Sequence, residues 1–373
     1  MPSSASEPEG IFAEPGGITR VVLFADRHLG KGDLTNGIYV DHGNMIPGAG
    51  WLSVGPGYKH WYRDDSVFID ASAAISTKNF RKVQARIEMP KFLKSRLGLG
   101  AMAGWQDFGR LDFFGAGPAT TLDAQSIYSI ESTQLTAYAT FRPMRWMDIE
   151  GQVGWMNPDT SYVEGPFLPR LTSSREFMPV QVSATIDTRD FPGHPTSGIV
   201  LRGVAARYDD RTLGTQSFDK VEGEAAGFIP IAGGRAVLSL HGWYVGTEPR
   251  DGGSVPFYLQ PSLGGVNTLR SYTDYRFHDD HMLVANAELR LALMTHLDLA
   301  FFADAGNVAG VRRDLDLSKQ SFGAGLRLHT RRETFAMVDV ANGDEGWRVL
   351  FRLKDPLSLS RLTKKKTLVP FVP

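Results

Sequence analysis

The chain has 373 residues, with 40 Lys and Arg against 41 Asp and Glu, so no basic surplus points to nucleic acid. It contains no cysteine, which excludes disulfides, cysteine-ligated metals and thiol nucleophiles. No stretch approaches the ~18 consecutive apolar residues of a membrane helix. Membrane-crossing strands stay open, because only alternate residues of such a strand face lipid.

In chain order, Met1–Gly10 is rich in Ser, Pro and Glu and shows no charged-then-apolar pattern, so no signal peptide is visible at this start. Residues 1–44 read as an N-terminal segment, partly disordered or plug-like. Within it Ile18–Phe24 is apolar and suits a short strand or a plug, and Gly30–Asp33 reads as a turn. From Gly50 onward, strand-like runs alternate with turns.

Alternation is the main signal. Val67, Ile69, Ala71, Ala73 and Ile75 alternate with Phe68, Asp70, Ser72, Ala74 and Ser76. Arg81–Met89 and Leu97–Trp105 alternate in the same way, and further runs cover 127–141, 146–157, 179–187, 198–209, 217–229 and 234–246. After a long break come 281–293, 297–305, 320–329, 333–340 and 346–354. In one of these, Leu283, Ala285, Ala287, Leu289 and Leu291 share a face, and Asn286, Glu288 and Arg290 occupy the other. A strand with leucine on one side and charge on the other separates two solvents, lipid outside and a wet lumen inside.

Many runs exceed the ~5–6 residues of soluble strands and reach the ~9–11 tilted residues that cross a bilayer. A lipid-facing sheet must close to hide its edges. About fifteen runs are readable, and single-chain bacterial barrels normally hold an even number. The expected fold is therefore an all-β, transmembrane antiparallel barrel of sixteen strands over residues 45–354, with the unread strand within 45–65. Trp51, Tyr58, Trp61, Tyr62, Trp105, Trp146, Trp155, Trp243 and Trp347 lie near strand ends and read as interfacial girdles. Residues 355–373 read as a solvated basic tail containing Lys364, Lys365 and Lys366.

No enzyme is expected. The chain lacks a Gly-x-Ser-x-Gly elbow, a phosphate loop and a His-Glu-x-x-His zinc motif. Ser239 and His241 share a strand face but no third orienting group can be named. His278, Asp279, Asp280 and His281 are a concentrated cluster whose neighbours point to opposite faces, so a polar loop is the reading and no metal or other cofactor is expected.

Pro261–Leu293 carries a Gly-Gly turn at Gly264 and Gly265, then Leu269, Arg270, Ser271 and Tyr272, then a strand with Asn286, Glu288 and Arg290. Four other segments agree with it in order: Asp187-Thr188-Arg189-Asp190-Phe191-Pro192, Phe113-Phe114-Gly115-Ala116-Gly117-Pro118, Phe301-Phe302-Ala303-Asp304-Ala305-Gly306 and Ser321-Phe322-Gly323-Ala324-Gly325. Together they resemble the BamA/TamA-like superfamily of bacterial outer-membrane barrels. The resemblance implies that the break before residue 281 is a long loop folded into the lumen, with Arg270 at its tip paired to Asp304. Alternation turns Phe302 and Asp304 inward, as a guanidinium fork requires of its carboxylate.

Three departures accompany the resemblance. Ser271 replaces the family's glycine, which permits positive φ and close approach; serine does so only at a cost, so the loop tip is expected to be strained or to differ in shape. A basic tail follows the last strand where such barrels usually end at an aromatic. Only about 45 residues precede the barrel, short of the ~50 of a small domain, so periplasmic POTRA modules are expected to be lacking. The resemblance implies a non-enzymatic barrel of the bacterial outer membrane. It would act in insertion or transport of polypeptide or lipid, with a seam between first and last strands. Outer-membrane lipid is its expected partner, with a client polypeptide or a separate periplasmic-module subunit beside it. A passive pore or structural barrel without client handling is the alternative.

Overall fold

A computed structural model describes residues 10–352 except 21, 23–35, 44, 46–52, 64 and 94. Its wall is an antiparallel meander of sixteen strands. These are β1 (Gly37–Gly43), β2 (Ser53–Tyr62), β3 (Val67–Ser76), β4 (Arg81–Phe92), β5 (Leu97–Phe113), β6 (Ser126–Met144), β7 (Met147–Glu164) and β8 (Phe177–Asp187). Then come β9 (Gly198–Asp210), β10 (Phe218–Ile231), β11 (Ala236–Pro249), β12 (His281–Met294), β13 (Leu297–Ala309), β14 (Lys319–His329), β15 (Thr334–Gly343) and β16 (Gly346–Arg352). Each pairs with the next. Among the described residues no ladder is registered between β1 and β16, which at 7 residues each are the shortest of the sixteen.

Two expectations near the N-terminus change. The ranges read from the sequence number fourteen, and two strands complete the sixteen: β2, the expected unread strand, and β1, which starts the wall at Gly37 rather than at residue 45. β1 escapes sequence reading because Gly37-Ile38-Tyr39-Val40-Asp41-His42-Gly43 is short and bounded by glycines. The apolar run at 18–24 is helical where it is described, at residues 16–20 and 22, and not a strand. Val22 is fully buried against Phe335, with Ile18 and Leu328 beside it. Phe12 N–H donates to Leu293 O at 2.9 Å, and Glu14 accepts the His296 N–H at 2.7 Å. The turn read at residues 30–33 and the basic tail lie outside the described residues.

Burial follows a pattern opposite to that of a soluble sheet. On β12 the buried positions are Met282, Val284, Asn286, Glu288 and Arg290, while Leu283, Ala285, Ala287, Leu289 and Leu291 are partly exposed. Charge is inside and leucine outside, as a lipid-facing wall around a polar lumen demands. β5, β6 and β7, with 17, 19 and 18 residues, are longer than a bilayer needs. Past Trp105 and Trp155 their outward positions turn polar, with Asp107, Glu131 and Asp159 as cross-strand neighbours. Those tryptophans therefore mark the edge of the apolar band, and Trp105 Nε1 donates to Glu131 at 2.8 Å. Trp243 departs from the girdle reading: it is 1% exposed and faces the lumen. Trp51 lies outside the described residues.

The strands meet short turns at one end, such as 145–146 and 295–296, and long loops at the other, such as 250–280. Buried aromatic clusters fill the lumen at the long-loop end. One gathers Phe80, Phe108, Phe113 and Tyr128 around Val255, Phe257 and Leu259 of the 250–280 loop. Its composition explains why this loop turns inward: residues 255–259 are too apolar for water.

The face assignment is testable. Leu289→Arg puts a charge in lipid near mid-strand and is expected to destabilise the refolded protein by about 2–4 kcal/mol, measured by urea titration in vesicles.

Candidate functional site

The loop between β11 and β12 is pinched at its base by a two-residue ladder, Ser262–Leu263 against Phe277–His278. Its tip turns at Gly264 and Gly265, whose φ values are +120° and +91°, a region that L side chains rarely occupy. Gly265 N–H donates to Leu269 O and Tyr272 O, both at 3.1 Å, which tightens the tip. Leu269 is fully buried with Trp243, Val245, Tyr272, Phe277 and Val284. That anchor sets the direction of the next residue.

Arg270, 3% exposed, meets Asp304 with a bidentate fork: Nε to Oδ2 is 2.9 Å and Nη2 to Oδ1 is 2.8 Å. Its backbone N–H also reaches Asp304, at 3.2 Å. Nη1 donates to Glu288 Oε2 at 2.9 Å and lies 3.5 Å from Asp339 Oδ2. The guanidinium carbon sits 3.4 Å from the Phe302 ring centroid. A second buried guanidinium, Arg327, bonds Glu288 and Asp339 from the other side. Two arginines and three carboxylates thus share one buried pocket. Asn286 Nδ2 joins the pocket to the loop, donating to Asp304 at 2.9 Å and to Thr268 O at 2.8 Å.

The remaining tip residues are also held. Ser271 has no positive φ, so the serine carries no left-handed strain here, contrary to the expectation drawn from the missing glycine. Its N–H donates to Ser321 Oγ at 2.9 Å, and close approach is met across the contact instead, since a Cβ on Gly343 would sit 2.2 Å from Ser271 Oγ. Tyr272 OH donates to Asp344 at 2.7 Å. Gly306 lies beneath Leu263 of the loop base. The last strand takes part: Arg348 bonds Tyr272 O and Asp274, and Arg352 bonds Asn267. Arg276 reaches Glu345 and the carbonyl of Thr120, tying the loop to the one that follows β5.

The turn motif lies at the short-turn end. Arg189 forks onto Asp187 at 2.9 and 2.7 Å and reaches Pro192 O at 3.5 Å. Arg290 does not join the Arg270 pocket. It bonds Pro195 O and lies 3.1 Å from His194 Nδ1. The inward polar residues Asn286, Glu288 and Arg290 of β12 therefore divide their work: Asn286 and Glu288 hold the loop from one end, and Arg290 holds the turn from the other.

The Ser239–His241 pair and the 278–281 cluster weighed from sequence find other partners. His241 uses Nδ1 on Asn286 at 2.8 Å and Nε2 on Glu224 at 3.0 Å, not on Ser239. In the 278–281 cluster, Asp280 accepts from Gln260 and His281 lies near Glu248, while His278 packs on Phe113. Burial drives the His278 imidazole down to about 3.

Sequence reasoning brought Arg270 and Asp304 together but missed Asp339 and Arg327, the partnership with Glu288, and Arg348 and Arg352. The signal was present: Asp339 between Val338 and Val340, and Arg327 between Leu326 and Leu328, are charges alternating with outward apolar residues. His194, Asp298 and His329 were also missed.

A family model described as the Omp85 superfamily domain matches residues 67–331. Among solved structures, BamA from Haemophilus ducreyi lacking POTRA domains 1–3 is similar with a TM-score of 0.66 at 15% identity, over 86% of this chain and 70% of that one. CdiB from Acinetobacter baumannii gives 0.53 at 14% identity, over 86% of this chain and 59% of that one. CdiB from Escherichia coli gives 0.58 at 14% identity, over 86% and 62%. A search of curated proteins finds no match.

Removing Arg270 leaves three carboxylates facing one guanidinium. Arg270→Ala and Asp304→Ala are each expected to cost about 3–5 kcal/mol. In urea titrations of the refolded protein the double mutant should cost clearly less than the sum; full additivity would contradict the pairing.

Proposed function

The chain belongs to the Omp85 superfamily, and from that premise we propose that it acts in the bacterial outer membrane in insertion or transport of polypeptide or lipid, without catalysis. One observation carries the reading. A long loop is latched inside the lumen by the buried Arg270–Asp304 fork, while β1 and β16 share no registered ladder among the described residues.

The latch keeps the lumen filled at the long-loop end, so the resting protein is a poor pore. The two short terminal strands offer backbone edges on which an incoming strand can pair. Outward-facing Trp347, Val349 and Phe351, exposed by 75%, 68% and 60%, suit the apolar side of such a seam. Inward-facing Arg348 and Arg352 tie that same strand to the loop, so loop and seam are expected to move together. Outer-membrane lipid surrounds the wall in this reading. The client polypeptide and a separate subunit carrying periplasmic modules are its proposed partners.

Planar-bilayer conductance of the refolded protein tests the proposal. Wild type should show small, fluctuating conductance, and Arg270→Ala should raise it several-fold by freeing the loop. Large, steady conductance indifferent to Arg270 would contradict the proposal and favour a passive pore on the same scaffold.

A further inference from the structure

The turn 188–197 joins β8 to β9, yet its tip rests against β12–β15, across the lumen at its short-turn end. Gly193 O accepts the Thr334 N–H at 3.0 Å, Arg290 bonds Pro195 O, and Arg331 lies over the Phe191 ring at 5.4 Å. His194, 4% exposed, is the side chain that enters the wall. Its ring stacks on His329 with centroids 3.9 Å apart and planes within 7°. Both rings face one carboxylate: His329 Nε2 lies 3.1 Å from Asp298 Oδ1, and His194 Nε2 lies 3.6 Å from Oδ2.

The partners dictate where protons sit. His194 Nδ1 lies 3.1 Å from Arg290 Nη1 and 3.0 Å from Thr334 Oγ1. A guanidinium can only donate, so Nδ1 is bare, accepting from Arg290 and from the Thr334 hydroxyl, and the ring's proton sits on Nε2, toward Asp298. That ring is neutral. His329 lies 3.1 Å from Thr330 O through Nδ1 and 3.1 Å from Asp298 Oδ1 through Nε2. The seat thus gathers two stacked imidazoles and one guanidinium around a single carboxylate. A proton added to His194 Nδ1 would set N–H against N–H at Arg290, with only the Thr334 oxygen able to turn and accept it.

Three of the other acids nearby are engaged elsewhere. Asp187 is forked by Arg189, Asp190 accepts from Thr196 and Phe191, and Glu14 is held by His296 on the next turn. Glu333 pairs with Gly193 in a parallel bridge and is a further acid beside the turn. His194, Asp298 and His329 are the only three among the described residues whose His and carboxylate atoms gather this closely. A metal fits them poorly, because ring lone pairs lie in the ring plane and those of stacked rings run parallel rather than converging, and Arg290 already occupies His194.

We propose that the 188–197 turn is a proton-operated clasp, docked across the barrel floor at neutral pH and released when His194 is protonated. Burial first, then His329 and Arg290, holds the His194 imidazole well below its ordinary value of 6.5 while docked. The released turn regains a value of about 6.5. The docked state therefore binds fewer protons. It is complete above that value and weakens as pH falls below it, by up to about tenfold per pH unit.

The absence of cysteine allows a direct test. Spin labels at Pro192→Cys and Arg332→Cys, in the full chain refolded in lipid vesicles, report the turn-to-wall distance by double electron–electron resonance. One short distance is expected at pH 8, giving way to a longer, broader distribution at pH 5. His194→Gln, which keeps a donor but takes no proton, should hold the short distance at both. His329→Gln removes the stacked imidazole that helps to hold the His194 value low and should move release to lower pH. An unchanged wild-type distance would overturn the clasp. So would undiminished release in His194→Gln, a wild-type midpoint in His329→Gln, or zinc that redocks the turn at pH 5.

Discussion

A guanidinium removed from water is stable only when carboxylates and other acceptors take up its charge and most of its N–H groups. Arg270 meets that condition through Asp304, Glu288 and Asp339, with the Phe302 ring against its face. The rest of the inner architecture depends on this pocket. It draws a loop that would otherwise be solvated into the lumen, and it makes four inward charges on β12–β15 tolerable. Loss of any one member leaves its direct partners short of a countercharge in a buried site.

The pocket is not an isolated latch. Glu288 serves Arg270 and Arg327 at once, and Asn286 connects Asp304 to His241 and to the Thr268 carbonyl. One rung along the same strand, Arg290 grips the 188–197 turn. A single strand thus presents, at successive inward positions, groups for a loop arriving from one end and a turn arriving from the other. Arg348 and Arg352 add the terminal strand to the same assembly. A shift of β12 or β16 is felt by the loop through ion pairs rather than by distant packing.

Much of this was legible from residue order. The two-residue period of strands such as β12 places leucine outside and charge inside, and the break before residue 281 marks the luminal loop. Arg270 and Asp304 were legible only through the resemblance, because nothing local in Leu269-Arg270-Ser271-Tyr272 names a partner some thirty positions away. β1 was not legible, being 7 residues between glycines. The His194 clasp was not legible for a different reason. Its members come from one turn and three strands, and their meeting depends on how far the turn arcs across the floor. Ser271 shows the opposite error: glycine's absence predicted strain, but the backbone there needs no positive φ and Gly343 supplies the space instead.

The central claim is that the Arg270 pocket, rather than the apolar packing around Leu269, keeps the loop seated. Hydrogen exchange by mass spectrometry on Asp304→Asn, which keeps the shape and removes the charge, tests it most directly. The account predicts that the amides of Gly265, Thr268 and Tyr272 lose protection while those of β12 and β13 keep theirs. Unchanged protection across the loop would contradict it and assign the seating to the apolar cluster.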